Sequence, residues 1–251
     1  MSSEPSSGTR IALITGGNRG IGRAIAEQLG AQGISVIIAA RQLAQAQTVA
    51  SELREQGCAA DAVQLDVDDE ASRVQTVNSA IATYGRIDIL VNNAGVALDK
   101  WVPTAELDLQ QMRATMETNL YAPLRLCQLV LPGMRERGYG RIVNLSSELG
   151  SLSESAMGSS AAYRSSKTAL NMLTRLLALE LKDAGDVLIN AAAPGWVKTE
   201  LGGDDAPRSP AEGADTPVWL ATLPAGGPNG GFFRDQRLAV LGDDAHMPQA
   251  A

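Results

Sequence analysis

The stretch IALITGGNRGIGRAIAEQL, Ile11 to Leu29, passes from an aliphatic run through a glycine-rich turn into an amphipathic segment. That order predicts a strand, a tight turn and a helix, with Gly16, Gly20 and Gly22 spaced G-x-x-x-G-x-G. Glycines there admit the sharp turn and let the backbone approach a pyrophosphate, which would meet the positive end of the following helix. Asn18, Arg19 and Ile21 share the turn. A glycine-rich turn alone is weak evidence for a dinucleotide site; its place between a first strand and an amphipathic helix makes it strong.

Outward from this unit, short aliphatic runs alternate with longer amphipathic or alanine-rich segments. The runs are RIALIT, SVIIAA, AVQLDV, IDILVN, GRIVNLS, VLINAAA and RLAVLG. This rhythm predicts an α/β fold, a doubly wound parallel sheet of about seven strands flanked by helices. With 251 residues, 45% of them hydrophobic, the chain can bury a substantial core as one domain. The domain is expected over 10–242, between a Ser-rich tail at 1–9 and a polar tail at 243–251. Between Gly195 and Pro228 the rhythm breaks into Gly, Pro and Asp around one short helix, EGADTPVWLATL. An irregular segment late in an α/β domain reads as a substrate loop, here 196–228.

Composition excludes several classes. The net charge is −7 and the basic residues form no stripe, which argues against a nucleic-acid surface. No apolar run is long enough for a membrane span, and the opening MSSEPSSGTR does not resemble a signal segment, so a cytoplasmic protein is expected. Cys58 and Cys127 are too few for a disulfide framework and have no zinc-site spacing. His246 is the only histidine and stands in the polar C-terminal stretch, which leaves no Ser-His-Asp triad and no metal site.

The chemistry must use other groups, and AAYRSSK, Ala161 to Lys167, offers them. In a helix Tyr163 and Lys167, at i and i+4, lie one turn apart on one face. A tyrosine of pKa near 10 is a poor acid at neutral pH. A neighbouring ammonium would favour the phenolate and lower that value.

TGGNRGIG, NNAG at 92–95 and YRSSK at 163–167, in that order, resemble the three signatures of the classical short-chain dehydrogenase/reductase family, over a span from about Arg10 to about Gly242. The resemblance implies a single-domain Rossmann fold in which Tyr163 exchanges a proton with the substrate oxygen while hydride passes to or from a nicotinamide. Lys167 would also bind the nicotinamide ribose. Asn119 of ETNLYAP would sit in a locally disturbed helix and replenish the proton through a water. NLSSELG offers Ser146 and Ser147 to orient the carbonyl; the family pattern points to Ser147, with Ser146 as the alternative.

The same resemblance places Gly16, Asn18, Arg19, Gly20, Ile21, Gly22, Asp66, Val67, Asn93, Ala94 and Gly95 against the cofactor, with Asn92 steadying the sheet. Pro194, Gly195, Val197 and Thr199 of AAAPGWVKTEL would flank the nicotinamide. NAD-preferring relatives carry an Asp where this chain has Ala40, whereas Arg41 and Arg19 can both reach a 2′-phosphate, whose oxygens match a guanidinium fork. The cofactor reading is therefore NADP(H). Ser147, Leu149, Tyr163 and Trp196 are the expected substrate contacts, with Trp101 and Met157 as further pocket walls.

PGWVKTEL and the segments after it look similar to the carbonyl reductase branch, which implies a small-molecule carbonyl substrate. The segment between Ser147 and Tyr163 lacks the long insertion of that branch's animal members, so a homodimer or homotetramer is expected. A dedicated sugar, steroid or carrier-bound β-ketoacyl substrate is the alternative within the family. A non-catalytic NADP(H) sensor is the alternative outside it.

Overall fold

The structure is a computed structural model, and it describes residues 9–153 and 157–239. The expected tail over 243–251, His246 and all but Thr9 of the expected tail over 1–9 lie outside the described residues. The chain alternates β1 (Ile11–Thr15), α1 (Gly20–Ala31), β2 (Ser35–Ala40), α2 (Leu43–Glu55), β3 (Ala60–Gln64), α3 (Glu70–Tyr84) and β4 (Ile89–Asn92). It continues with α4 (Leu109–Met116), α5 (Ala122–Arg137), β5 (Tyr139–Leu145), α6 (Ala161–Glu180), β6 (Asp186–Ala193), α7 (Pro210–Ala221), β7 (Phe232–Arg234) and β8 (Arg237–Leu238).

These strands form one sheet in the order β3-β2-β1-β4-β5-β6-β7-β8. All pairs are parallel except β7 with β8. The strand runs are apolar nearly throughout because helices cover both faces of the sheet. Successive side chains part to opposite sides. Ala12, Ile14, Val36 and Ile38 pack beneath α1, α2 and α7, whereas Ile11, Leu13, Ile37 and Leu90 pack beneath α3, α5 and α6.

The sheet edge corrects one expectation. RLAVLG was expected to supply the seventh strand, yet the parallel place beside β6 belongs to β7, whose Phe232 and Phe233 are buried. Asp235 and Gln236, at φ 48° and 59°, turn the chain back so that Arg237 and Leu238 pair antiparallel and stay exposed. Two phenylalanines bury more apolar surface in that slot than the Arg-Leu pair could. Residues 240–242 of the expected strand lie outside the described ones.

Strand order reverses between β1 and β4, so a crevice opens at the carboxyl ends of these strands, where open α/β sheets bind ligands. Among the described residues no helix is long and apolar enough to cross a membrane, and no cluster of potential metal ligands occurs.

Candidate active site

At the end of β1 the glycine turn is fastened to the end of β4. Asn93 Nδ2 donates to Thr15 O at 2.8 Å and to Gly16 O at 3.1 Å. Thr15 Oγ1 accepts from the N–H groups of Asn93 and Ala94 at 3.0 and 2.9 Å. Gly16 has a left-handed φ of 61°, and a Cβ on Gly22 would stand 2.3 Å from Gly16 O. The cradle therefore exists only because these positions lack side chains. Asn92 turns the other way and donates to Asn144 at 2.9 Å within the sheet. Ile21 packs against the core, and Asn18 donates to Gln45 at 2.7 Å.

At the end of β2, Ala40 is buried and offers no carboxylate, while Arg41 is exposed and has no acidic partner among the described residues. Arg19 pairs with Glu200, an exposed ion pair of the kind that exchanges partners at little cost. Asp66 accepts from Asp68 N at 3.1 Å, and Val67 is buried with its carbonyl held by Arg73. A side-chain-free cradle, two available guanidinium groups and no competing carboxylate at the end of β2 fit a phosphorylated dinucleotide. Gly16, Gly20, Gly22, Arg19, Arg41 and Asp66 would hold it.

The two halves of the YRSSK pair meet as helical spacing requires. Lys167 Nζ lies 5.7 Å from the centre of the Tyr163 ring and donates to Leu145 O at 2.7 Å, at the end of β5. Burial pushes the lysine down to about 8. Burial also raises the Tyr163 phenol above its ordinary value, and a hydrogen bond with Ser147 pulls the other way. In the protein without cofactor, desolvation is the larger influence on the phenol; the expected lowering belongs to Lys167 together with the positive nicotinamide of a bound oxidised cofactor.

Ser147 is the serine that meets the phenol. Ser146 is buried and donates instead to Lys167 O at 3.4 Å. Asn119 lies within a π turn, Glu117–Tyr121, between α4 and α5, and is fully buried. Its Nδ2 donates to Val96 O at 2.8 Å and to Ser166 Oγ at 3.0 Å. A Cβ on Gly95 would stand 3.3 Å from Asn119 Oδ1 and 3.5 Å from Lys167 Nζ, so the NNAG glycine lets these two groups share one space.

After β6, Gly195 takes φ 79° beside Pro194 and turns the chain over the crevice. Val197 is buried against Gly213 of α7, and Thr199 accepts from Gly202 N at 3.0 Å while its methyl packs on Gly20. Trp196 Nε1 donates to Gly202 O at 2.8 Å, leaving the indole 56% exposed. Leu149, Trp101 and Met157 are also exposed, with Trp101 at 73%.

Several positioning residues escaped the sequence reading. Thr15 ends its strand like any β-branched residue. Asn144 donates to Thr174 at 2.9 Å and extends the Asn92 contact across to α6. Arg73 and Asp68 hold Glu117 and Thr118 at the start of the π turn. Polar residues in apolar runs were the available signal, because a buried amide or guanidinium must have partners.

The sequence pattern described as short chain dehydrogenase matches residues 10–209. Carbonyl reductase (NADPH) 1 of Sus scrofa is 34% identical over 281 aligned positions, covering 94% of this chain and 96% of the relative. The NADPH-bound carbonyl reductase from chicken fatty liver superimposes with a TM-score of 0.82 at 29% identity, over 92% of this chain and 99% of that one. A gluconate 5-dehydrogenase from Burkholderia cenocepacia J2315, in complex with NADP and tartrate, gives a TM-score of 0.82 at 31% identity, over 90% of this chain and 92% of the other. The chain belongs to the short chain dehydrogenase family and is an oxidoreductase of that class.

Proposed function

We propose that the protein is an NADPH-dependent carbonyl reductase that converts ketones and aldehydes to alcohols. The observation that carries this reading is the convergence of Ser147, Tyr163 and Lys167 at the carboxyl end of β5, beside a cradle that fits a phosphorylated dinucleotide. The cofactor, when bound, supplies the hydride. Ser147 donates a hydrogen bond to the substrate carbonyl, and the Tyr163 hydroxyl protonates the developing alkoxide. Lys167, ionised at neutral pH, lends positive charge that makes release of that proton easier. Asn119 supports the route by which the proton on Tyr163 is replaced.

The exposed apolar side chains of Trp101, Leu149, Leu152, Met157 and Trp196 support an apolar or aromatic carbonyl substrate. Likeness to the gluconate 5-dehydrogenase supports a second reading, oxidation of a sugar acid. Exposed Tyr121, Met172, Leu176 and Leu179, beside α5 and on α6, support a homodimer or homotetramer. The proposed compartment is the cytoplasm, where Cys58 and Cys127 remain thiols.

The test is NADPH consumption with aromatic ketones, isatin, α-keto esters and quinones, run beside NADH, gluconate with NADP+, and the Tyr163→Phe variant. Turnover of the carbonyls with NADPH that Tyr163→Phe abolishes is the expected result. Turnover of gluconate alone would select the second reading, and NADPH binding without turnover would overturn both.

A further inference from the structure

The loop between β4 and α4 carries a carboxylate, Asp99, that is fully buried. Its Oδ2 accepts from Ala162 N at 2.6 Å and its Oδ1 from Tyr163 N at 3.3 Å. Ala162 and Tyr163 are the second and third residues of α6, in the first turn whose N–H groups have no partner within the helix. Ser160, at the capping position, does not serve them: it stands at a left-handed φ of 54° and its hydroxyl accepts from Trp101 N at 3.1 Å instead. A side chain 63 residues earlier in the sequence thus caps the helix that carries Tyr163.

Ser159, Ser160 and Trp101 all take left-handed φ angles, of 73°, 54° and 61°. Such a backbone is strained in a non-glycine residue, and surrounding contacts must hold it there. Asp99 lies among them.

The same loop is anchored at its other end by Asn119. Val96 N–H donates to Asn119 Oδ1 at 2.9 Å, and Val96 O accepts from Asn119 Nδ2. Asn119 Nδ2 also donates to Ser166 Oγ, whose hydroxyl donates to Tyr163 O at 2.7 Å. The backbone N–H of Tyr163 is therefore tied to Asn119 through Asp99 and Val96, and its carbonyl through Ser166. The ring closes on the π turn.

We infer that Asp99 is a positioning residue for Tyr163, setting the place of the phenol by fixing its backbone N–H against the strap from Val96. This inference rests on the reading that Tyr163 delivers the proton. The carboxylate also complements the positive end of the α6 dipole, which favours an acid over a neutral cap.

The test compares wild-type protein with Asp99→Ala, Asp99→Asn and Tyr163→Phe on one ketone. NADPH-binding sites and affinity are measured by equilibrium titration, and kcat and its solvent deuterium isotope effect are expressed per NADPH-binding site. Asp99→Ala is expected to lower kcat by about tenfold to a hundredfold, the usual consequence of a misplaced reacting group, with NADPH affinity within about twofold of wild type. Its solvent isotope effect should rise, because proton delivery from a displaced phenol becomes slower than the other steps.

Asp99→Asn keeps one acceptor oxygen and should fall between; where Asp99→Ala does not fold, this variant carries the comparison. A role confined to stability would reduce NADPH sites and activity together and leave kcat per site and the isotope effect unchanged, which overturns the inference. An active Tyr163→Phe would instead overturn the reading of Tyr163. An inactive Tyr163→Phe beside Asp99 variants of wild-type kcat would remove Asp99 alone.

Discussion

Replacing Lys167 by Met should make the protein more stable at neutral pH while removing the charge proposed to assist Tyr163. The ammonium is 5% exposed and its pKa falls from 10.5 to about 8, with desolvation the cause. A group whose folded pKa is lowered opposes folding while it is protonated, and that opposition fades as pH rises from the folded toward the unfolded value. A shift of this size corresponds to about 3 kcal/mol of destabilisation at pH 7, at ~1.4 kcal/mol per unit. By pH ~9.5 the same linkage leaves about 1 kcal/mol.

Methionine fills a similar volume without charge, but leaves Leu145 O without the hydrogen bond from Nζ, a cost of about 1 kcal/mol. The net expectation is a gain of about 2 kcal/mol at pH 7, shrinking to near zero at pH ~9.5. Urea unfolding of both proteins at the two pH values measures the gap. A variant less stable than wild type by the same amount at both pH values would show that Lys167 carries no desolvation penalty and would refute the reasoning.

Gly22→Ala places a methyl against Gly16 O and Asn93 Nδ2, so the turn must open; NADPH affinity measured by titration should fall at least about tenfold and urea unfolding should show a loss of stability, because the clash is with backbone. Arg41→Ala should weaken NADPH by about tenfold and leave NADH within about twofold, because only the 2′-phosphate distinguishes them; binding titrations with both cofactors check this. Trp196→Ala removes the exposed indole proposed as a pocket wall and should raise KM for aromatic ketones several-fold with kcat for a small aliphatic ketone preserved, as steady-state kinetics on the two would show.

The strands and the cradle were legible because their signals are local. Aliphatic runs bounded by glycine and alternating with amphipathic segments specify βαβ units whatever surrounds them. YRSSK was legible for the same reason, since i and i+4 share a face in any helix. RLAVLG misled because a run of four apolar residues carries no information about which neighbour competes for the edge of the sheet; Phe232 and Phe233 won through burial.

The proton affinity of Tyr163 in the protein without cofactor was not legible, because charge proximity can be read from spacing whereas desolvation depends on what covers the ring. The sequence by itself determined the fold class and marked the dinucleotide cradle and the residues proposed to bear the chemistry. Only the tertiary structure decided which of two adjacent serines meets the phenol, which side chain caps α6 and how burial sets the proton affinities, because these depend on contacts between segments distant along the chain.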